Sequence, residues 1–233
     1  MTPVFKVTST LVAASITTAG SIYFGTDLFR EKNVVTKKTI VSLIAKKHPQ
    51  KRLITSNSIS DVYWKKAYRI YREENKGHDK GQDSWKLDGW TRPSEVSNEV
   101  DTTTEFISRC NSNQLVEVEG EDDFLYQQVL RYCTRDTLVK DLIEERSGKR
   151  LISSVNGQDT EAWNAAWGLY KTSNNISGKS KDTWEFSDWD SKKGGNDLPQ
   201  DFKTKCDEKA KMPAFELENE NYKNVLSWCT TNK

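Results

Sequence analysis

Residues 39–56 read TIVSLIAKKHPQKRLITS, and residues 137–154 read TLVKDLIEERSGKRLISS. The two stretches open a duplicated block that runs from Thr39 to Asp136 and again from Thr137 to Lys233. YWKKAYRIY at 63–71 is matched by AWNAAWGLY at 162–170, and DSWKLDGW at 83–90 by DTWEFSDW at 182–189. EFISRC at 105–110 is matched by DFKTKC at 201–206, and YQQVLRYCT at 126–134 by YKNVLSWCT at 222–230. A block of this length is the size of one small domain, so the pattern predicts two tandem domains, residues 39–136 and 137–233.

Helical periodicity dominates each block. Trp64, Ala67, Tyr68 and Tyr71 stand at i, i+3, i+4 and i+7, and Trp163, Ala166, Trp167 and Tyr170 repeat the spacing. That is one face of an amphipathic helix, with Ser60 or Asp61 and Asp159 or Thr160 as natural caps. Phe106 with Cys110, Phe202 with Cys206, and the series Tyr126, Val129, Leu130, Cys133 and Tyr222, Val225, Leu226, Cys229 mark two further helices per block. TLVKDLIEER reads as a helix capped by Thr137 that links the blocks. No segment sustains a period of two, so the expected fold is mainly α: two small bundles of three or four helices with little sheet. Between helices, Trp85 and Trp90, matched by Trp184 and Trp189, read as a turn or one helical turn that tucks both rings against the first helix.

The four cysteines, Cys110, Cys133, Cys206 and Cys229, fall two to a block at equal spacing, each on the apolar face of its helix. The spacing predicts disulfides Cys110–Cys133 and Cys206–Cys229 and an oxidising, extracytoplasmic setting. The cysteines lack the C-x-x-C partners of a zinc site, and no histidine accompanies them in the second block.

The N-terminal part is of another kind. Val7 to Gly25 contains no charged residue, about the ~20 residues needed to span a bilayer. Residues 1–25 are therefore expected to be a hydrophobic anchor, with a cleaved signal ending near Thr17-x-Ala19 as the competing reading. Residues 26–38 read as a basic juxtamembrane tether. Lys and Arg number 5 against 2 Asp and Glu over residues 1–38, but 15 against 16 in each block. The positive flank alone would leave the blocks in the cytoplasm; the paired cysteines argue for the outside and carry more weight. Two nearly neutral blocks do not suit nucleic acid, which needs a basic excess.

Candidates for chemistry are few. His48 and His78 are the two histidines, neither has a counterpart in the second block, and both are expected to face solvent. Repeated acids, Asp83 and Asp182 with Asp88 and Ser187-Asp188, are expected to serve capping and turns rather than paired acid–base work. Gly178-Lys179-Ser180 lacks the earlier glycine of a phosphate loop, and no metal or cofactor is expected. The eight tryptophans are expected chiefly in the core; Trp64, Trp163 and Trp167 share helical stripes with Ala and Tyr. Trp90 and Trp189, at the loop side, are the candidates for partial exposure and ligand contact, as in a carbohydrate-binding module.

An N-terminal hydrophobic segment followed twice by KRLI[TS]S, W-x-x-A-[YW]-x-x-Y, W-x-x-x-x-W, F-x-x-x-C and Y-x-x-V-L-x-[YW]-C-T resembles the paralogous families of short proteins of haemotropic mycoplasmas. The resemblance implies a membrane-associated surface protein without known catalytic residues. It also implies that the variable stretches meet host-cell molecules or antibodies, as antigenic variation would require.

Overall fold

The structure, a computed structural model, describes residues 36–97, 99–155, 157–176, 180–195 and 197–233. The expected anchor and most of the expected tether lie outside the described residues. Among the described residues, no helix is long and apolar enough to cross a membrane.

Thr36–Lys233 forms one compact unit and is mostly helical. Its first half runs β1 (Lys38–Thr39), α1 (Ile40–Lys47), β2 (Lys51–Leu53), α2 (Val62–Asn75), α3 (Thr104–Asn113), β3 (Glu117–Val118), α4 (Phe124–Tyr132) and β4 (Thr134–Asp136). The second runs α5 (Val139–Arg146), β5 (Lys149–Leu151), α6 (Thr160–Asn174), α7 (Trp189–Gly194), α8 (Gln200–Ala210), α9 (Glu220–Trp228) and β6 (Thr230–Asn232). Buried apolar side chains gather in two clusters, Ile40 to Cys133 and Val139 to Cys229.

α2 buries Trp64, Ala67, Tyr68, Tyr71 and Asn75, and α6 buries Trp163, Ala166, Trp167, Tyr170 and Asn174. The period-3.6 stripe thus continues one turn further than the aromatic motif, onto an asparagine. Asp61 caps α2 by accepting from the amides of Tyr63 (2.8 Å) and Trp64 (3.2 Å). Asp159 sits at the same end of α6 but does not cap it; its carboxylate accepts from Arg150 and from the Ser153 amide (2.8 Å). Arg150 is close by in sequence and offers a bidentate charged partner, which outcompetes the helix amides. Thr137 is likewise not a cap: α5 starts after Leu138, and the Thr137 hydroxyl donates to the Pro49 carbonyl (2.8 Å).

Six short strands complete the fold among the described residues. They form three antiparallel pairs: β1 with β3, β2 with β4, and β5 with β6. In each half the KRL segment pairs with the residues just after the second cysteine. Arg52 faces Arg135 and Arg150 faces Thr231. The next amide continues the ladder, Ile54 to the Cys133 carbonyl and Ile152 to the Cys229 carbonyl, both at 3.0 Å. Each half is therefore closed by joining its beginning to its end.

Both disulfides form. Cys110 on α3 bridges Cys133 at the end of α4, and Cys206 on α8 bridges Cys229 at the end of α9, with Cα–Cα distances of 5.5 and 5.6 Å. The halves touch around Thr137: its amide donates to the Gln50 carbonyl and its carbonyl accepts from Ala214, both at 2.9 Å. Arg52 of β2 grips Glu145 of α5 through two bonds of 2.9 and 2.8 Å. Arg135 of β4 grips Asp141 of α5 in the same bidentate manner, at 2.6 and 2.9 Å.

Candidate binding groove

The tryptophan motifs fold the same way in both halves. Asp83, Trp85, Leu87 and Trp90 are buried, with exposed residues between them, and Asp182, Trp184, Phe186 and Trp189 repeat the pattern. Lys86 and Glu185, between the buried positions, adopt left-handed φ of 51° and 52°. The segment is a turn rather than a helical turn, and in the second half Asp188 is left-handed as well (φ 58°).

A polar network holds that turn against the helix before it. The Tyr71 hydroxyl donates to the Asp83 carboxylate and accepts from the Trp85 amide (3.1 Å), while Asp83 also accepts from the Leu87 amide (3.0 Å). Asn75 donates to the Tyr71 carbonyl (2.8 Å) and accepts from the Ser84 amide (2.7 Å). In the second half Tyr170 donates to Asp182, which accepts from Trp184 (2.9 Å) and Phe186 (2.9 Å) amides. There Asn174 donates to the Tyr170 carbonyl (2.9 Å) and accepts from the Thr183 amide (2.8 Å). Burial, reinforced by the adjacent aspartate, pushes both tyrosine hydroxyls far above their ordinary pKa, so they stay protonated donors. Asp88 and Asp188 are exposed while Asp83 and Asp182 are buried, so in each half the acids are split between surface and core.

Trp90 and Trp189, expected to be partly exposed, are 1% and 4% exposed. The expectation is corrected by the packing: Trp90 meets Tyr71 edge-on at 5.6 Å and donates its indole N–H to the His78 carbonyl (2.9 Å). Trp189 meets Trp167 and Tyr170 edge-on at 6.2 and 5.8 Å. Neither ring offers a face to a ligand. His78 is exposed as expected, but His48 is only partly so; it lies 6.1 Å from the Tyr126 ring and 3.5 Å from the Glu121 carboxylate.

The surface concavities lie elsewhere. One, of about 560 Å³, runs between the halves past Arg52, Arg135, Asp141 and Glu145, whose charges already satisfy one another. Another, of about 520 Å³, lies beside α2 and α4 and is lined by Ile70, Glu74, Phe124, Gln127, Leu130 and Arg131, with Tyr132 among its buried residues. Phe124 is 75% exposed. It stands on α4 because Asp123 caps that helix, accepting from the amides of Leu125 (2.8 Å) and Tyr126 (3.2 Å). Glu74 binds both the Tyr132 hydroxyl and Arg131. Gln128, buried behind the groove, accepts from the Trp85 indole (2.8 Å).

An exposed aromatic ring beside convergent amide, carboxylate and guanidinium groups can hold a small organic ligand. Sequence reasoning passed over Phe124 because no residue like it recurs at Glu220, the matching position. Among the described residues, no group of three or more His, Cys, Asp or Glu side chains could hold a metal ion. No protein-family model, no curated protein and no solved structure matches this chain.

Proposed function

We propose that the chain is a membrane-anchored, non-enzymatic surface protein of two tandem helical domains that arose by internal duplication, displaying variable segments to host-cell molecules or antibodies. The observation that carries this reading is how sequence difference divides between core and surface. The residues shared by the two halves, such as Trp64 and Trp163, Tyr71 and Tyr170, and the four cysteines, are buried. The stretches where the halves differ, 91–104 with 190–200 and 111–123 with 207–220, are largely exposed; Thr102, Val118, Ala210 and Ala214 are their buried exceptions. A scaffold fixed inside and free to vary outside is what a displayed protein needs. The formed disulfides favour the extracytoplasmic side. The non-enzymatic reading is supported by the repeated acids Asp83 and Asp182, which serve backbone amides and a tyrosine in the core.

Protease treatment of intact cells tests the placement. Cleavage within 91–104 or 190–200 without lysis is the expected result; full protection of both halves until lysis would refute it.

A second reading, a small-ligand-binding module, is favoured by the groove of the first half. The tryptophans are not its platform; Phe124 is.

A further inference from the structure

We propose that the groove beside α2 and α4 binds a neutral saccharide. This deepens the ligand-binding reading and rests on it.

Phe124, Gln127, Gln128 and Arg131 fall at i, i+3, i+4 and i+7 of α4 and all line the groove, while Tyr126, Val129 and Cys133 on the other face enter the core. The groove's charges are already compensated. Arg131 pairs with Glu74, and Lys51 with Asp136 at 2.7 Å. An anion at Arg131 would meet the Glu74 carboxylate beside it, and a cation at Glu74 would meet Arg131, so neither finds an uncompensated counter-ion.

What remains open is hydrogen-bonding capacity on an already paired charge and an amide, beside an apolar ring. Arg131 uses only its Nε, so its two terminal nitrogens have no partner among the described residues. Gln127 donates through Nε2 to the Glu121 carbonyl (2.6 Å), and its Oε1 has no partner among the described residues. Phe124 is the most exposed large apolar side chain among the described residues. A sugar ring fits this set: its C–H face packs on an aromatic ring, and its hydroxyls both donate and accept, so they can meet a planar guanidinium and an amide together. The volume, about 520 Å³, lies within the range of small-ligand sites.

The second half supplies an internal contrast. Where the first half has Glu74, Phe124, Gln127 and Arg131, the matching positions are Ser173, Glu220, Lys223 and Ser227. Behind them the core positions keep their character, Tyr222, Val225 and Cys229 for Tyr126, Val129 and Cys133. The lining changed and its support did not.

The test applies the full-length chain to an array of neutral, sialylated and sulfated oligosaccharides, with saturation-transfer NMR on those that bind. At least one neutral glycan is expected to bind and to receive saturation at its ring C–H protons. Phe124→Ala and Gln127→Ala should each weaken it by about tenfold or more, with the melting transition unchanged because both side chains are exposed. Leu169→Ala, on the exposed face of the second half, should leave binding intact. Absence of any neutral binder, binding confined to acidic glycans, or binding indifferent to Phe124→Ala and Gln127→Ala would each overturn the proposal. Because the array uses purified chain and the protease experiment uses cells, the two readings can fail separately.

Discussion

At the residue scale, the two halves satisfy one buried indole differently. Trp85 and Trp184 occupy matching places, but the Trp85 indole N–H donates to Gln128 whereas the buried Trp184 indole nitrogen has no partner. The position matching Gln128 is Asn224, one methylene shorter. A buried donor left unpaired costs about 1–3 kcal/mol. Asn224→Gln is therefore expected to stabilise the second half by about 1 kcal/mol, read as a raised denaturation midpoint with unchanged slope; an unchanged or lowered midpoint would show that the longer amide does not reach. The repeated Asp, Tyr and Asn were visible in the sequence as matched residues. That they bind one another was not visible, because Asn75 and Ser84, or Tyr71 and Asp83, meet only when the chain turns back on its helix.

At the scale of elements, helices were legible and strands were not. α2, α4, α6 and α9 each show two or more turns of apolar spacing, long enough for a period to declare itself. The KRL strands are three residues long and acquire their identity only from partners 79 or more positions away, as in Lys51 opposite Asp136 and Lys149 opposite Asn232. α7 also escaped notice: beyond Trp189, its first residue and its buried side chain, it runs through a stretch, 190–194, that reads as a surface loop. The disulfides belong to this scale because each ties two helices. Each closes a 23-residue separation, which chain entropy values at roughly 3 kcal/mol. Replacing Cys206 and Cys229 together by alanine should lower stability by about that amount, measured by chemical denaturation, and should expose the β5–β6 amides to faster hydrogen exchange while leaving those of β2 and β4 protected. Equal loss of protection in both halves would mean that the two cores unfold as one.

At the scale of the molecule, two bidentate ion pairs cross between the halves, and Asp141 is the more enclosed of their carboxylates. Burial works to raise the Asp141 pKa, but the Arg135 guanidinium and the Leu138 amide outweigh it, and the net shift is downward from 3.8. A carboxylate with a depressed folded pKa contributes stability that is fully present above its unfolded value and is lost as pH falls through the folded one. Asp141→Asn should therefore cost about 2 kcal/mol at neutral pH, and the gap to the parent chain should close below the ordinary carboxylate range. Urea denaturation at pH 7 and near pH 2 measures both; a gap that persists at acid pH would assign Asp141 a role other than its charge.

Two helix-rich blocks, their aromatic stripes and the pairing of four cysteines follow from the sequence alone, because helical period and repeat spacing are local or self-comparing signals. The tertiary structure decided that the loop-side tryptophans are buried, that short strands close each half, that Arg52 and Arg135 reach across to α5, and that a groove opens beside Phe124. Those facts depend on which distant segments share space. Chain closure and packing, rather than any local preference, determine that.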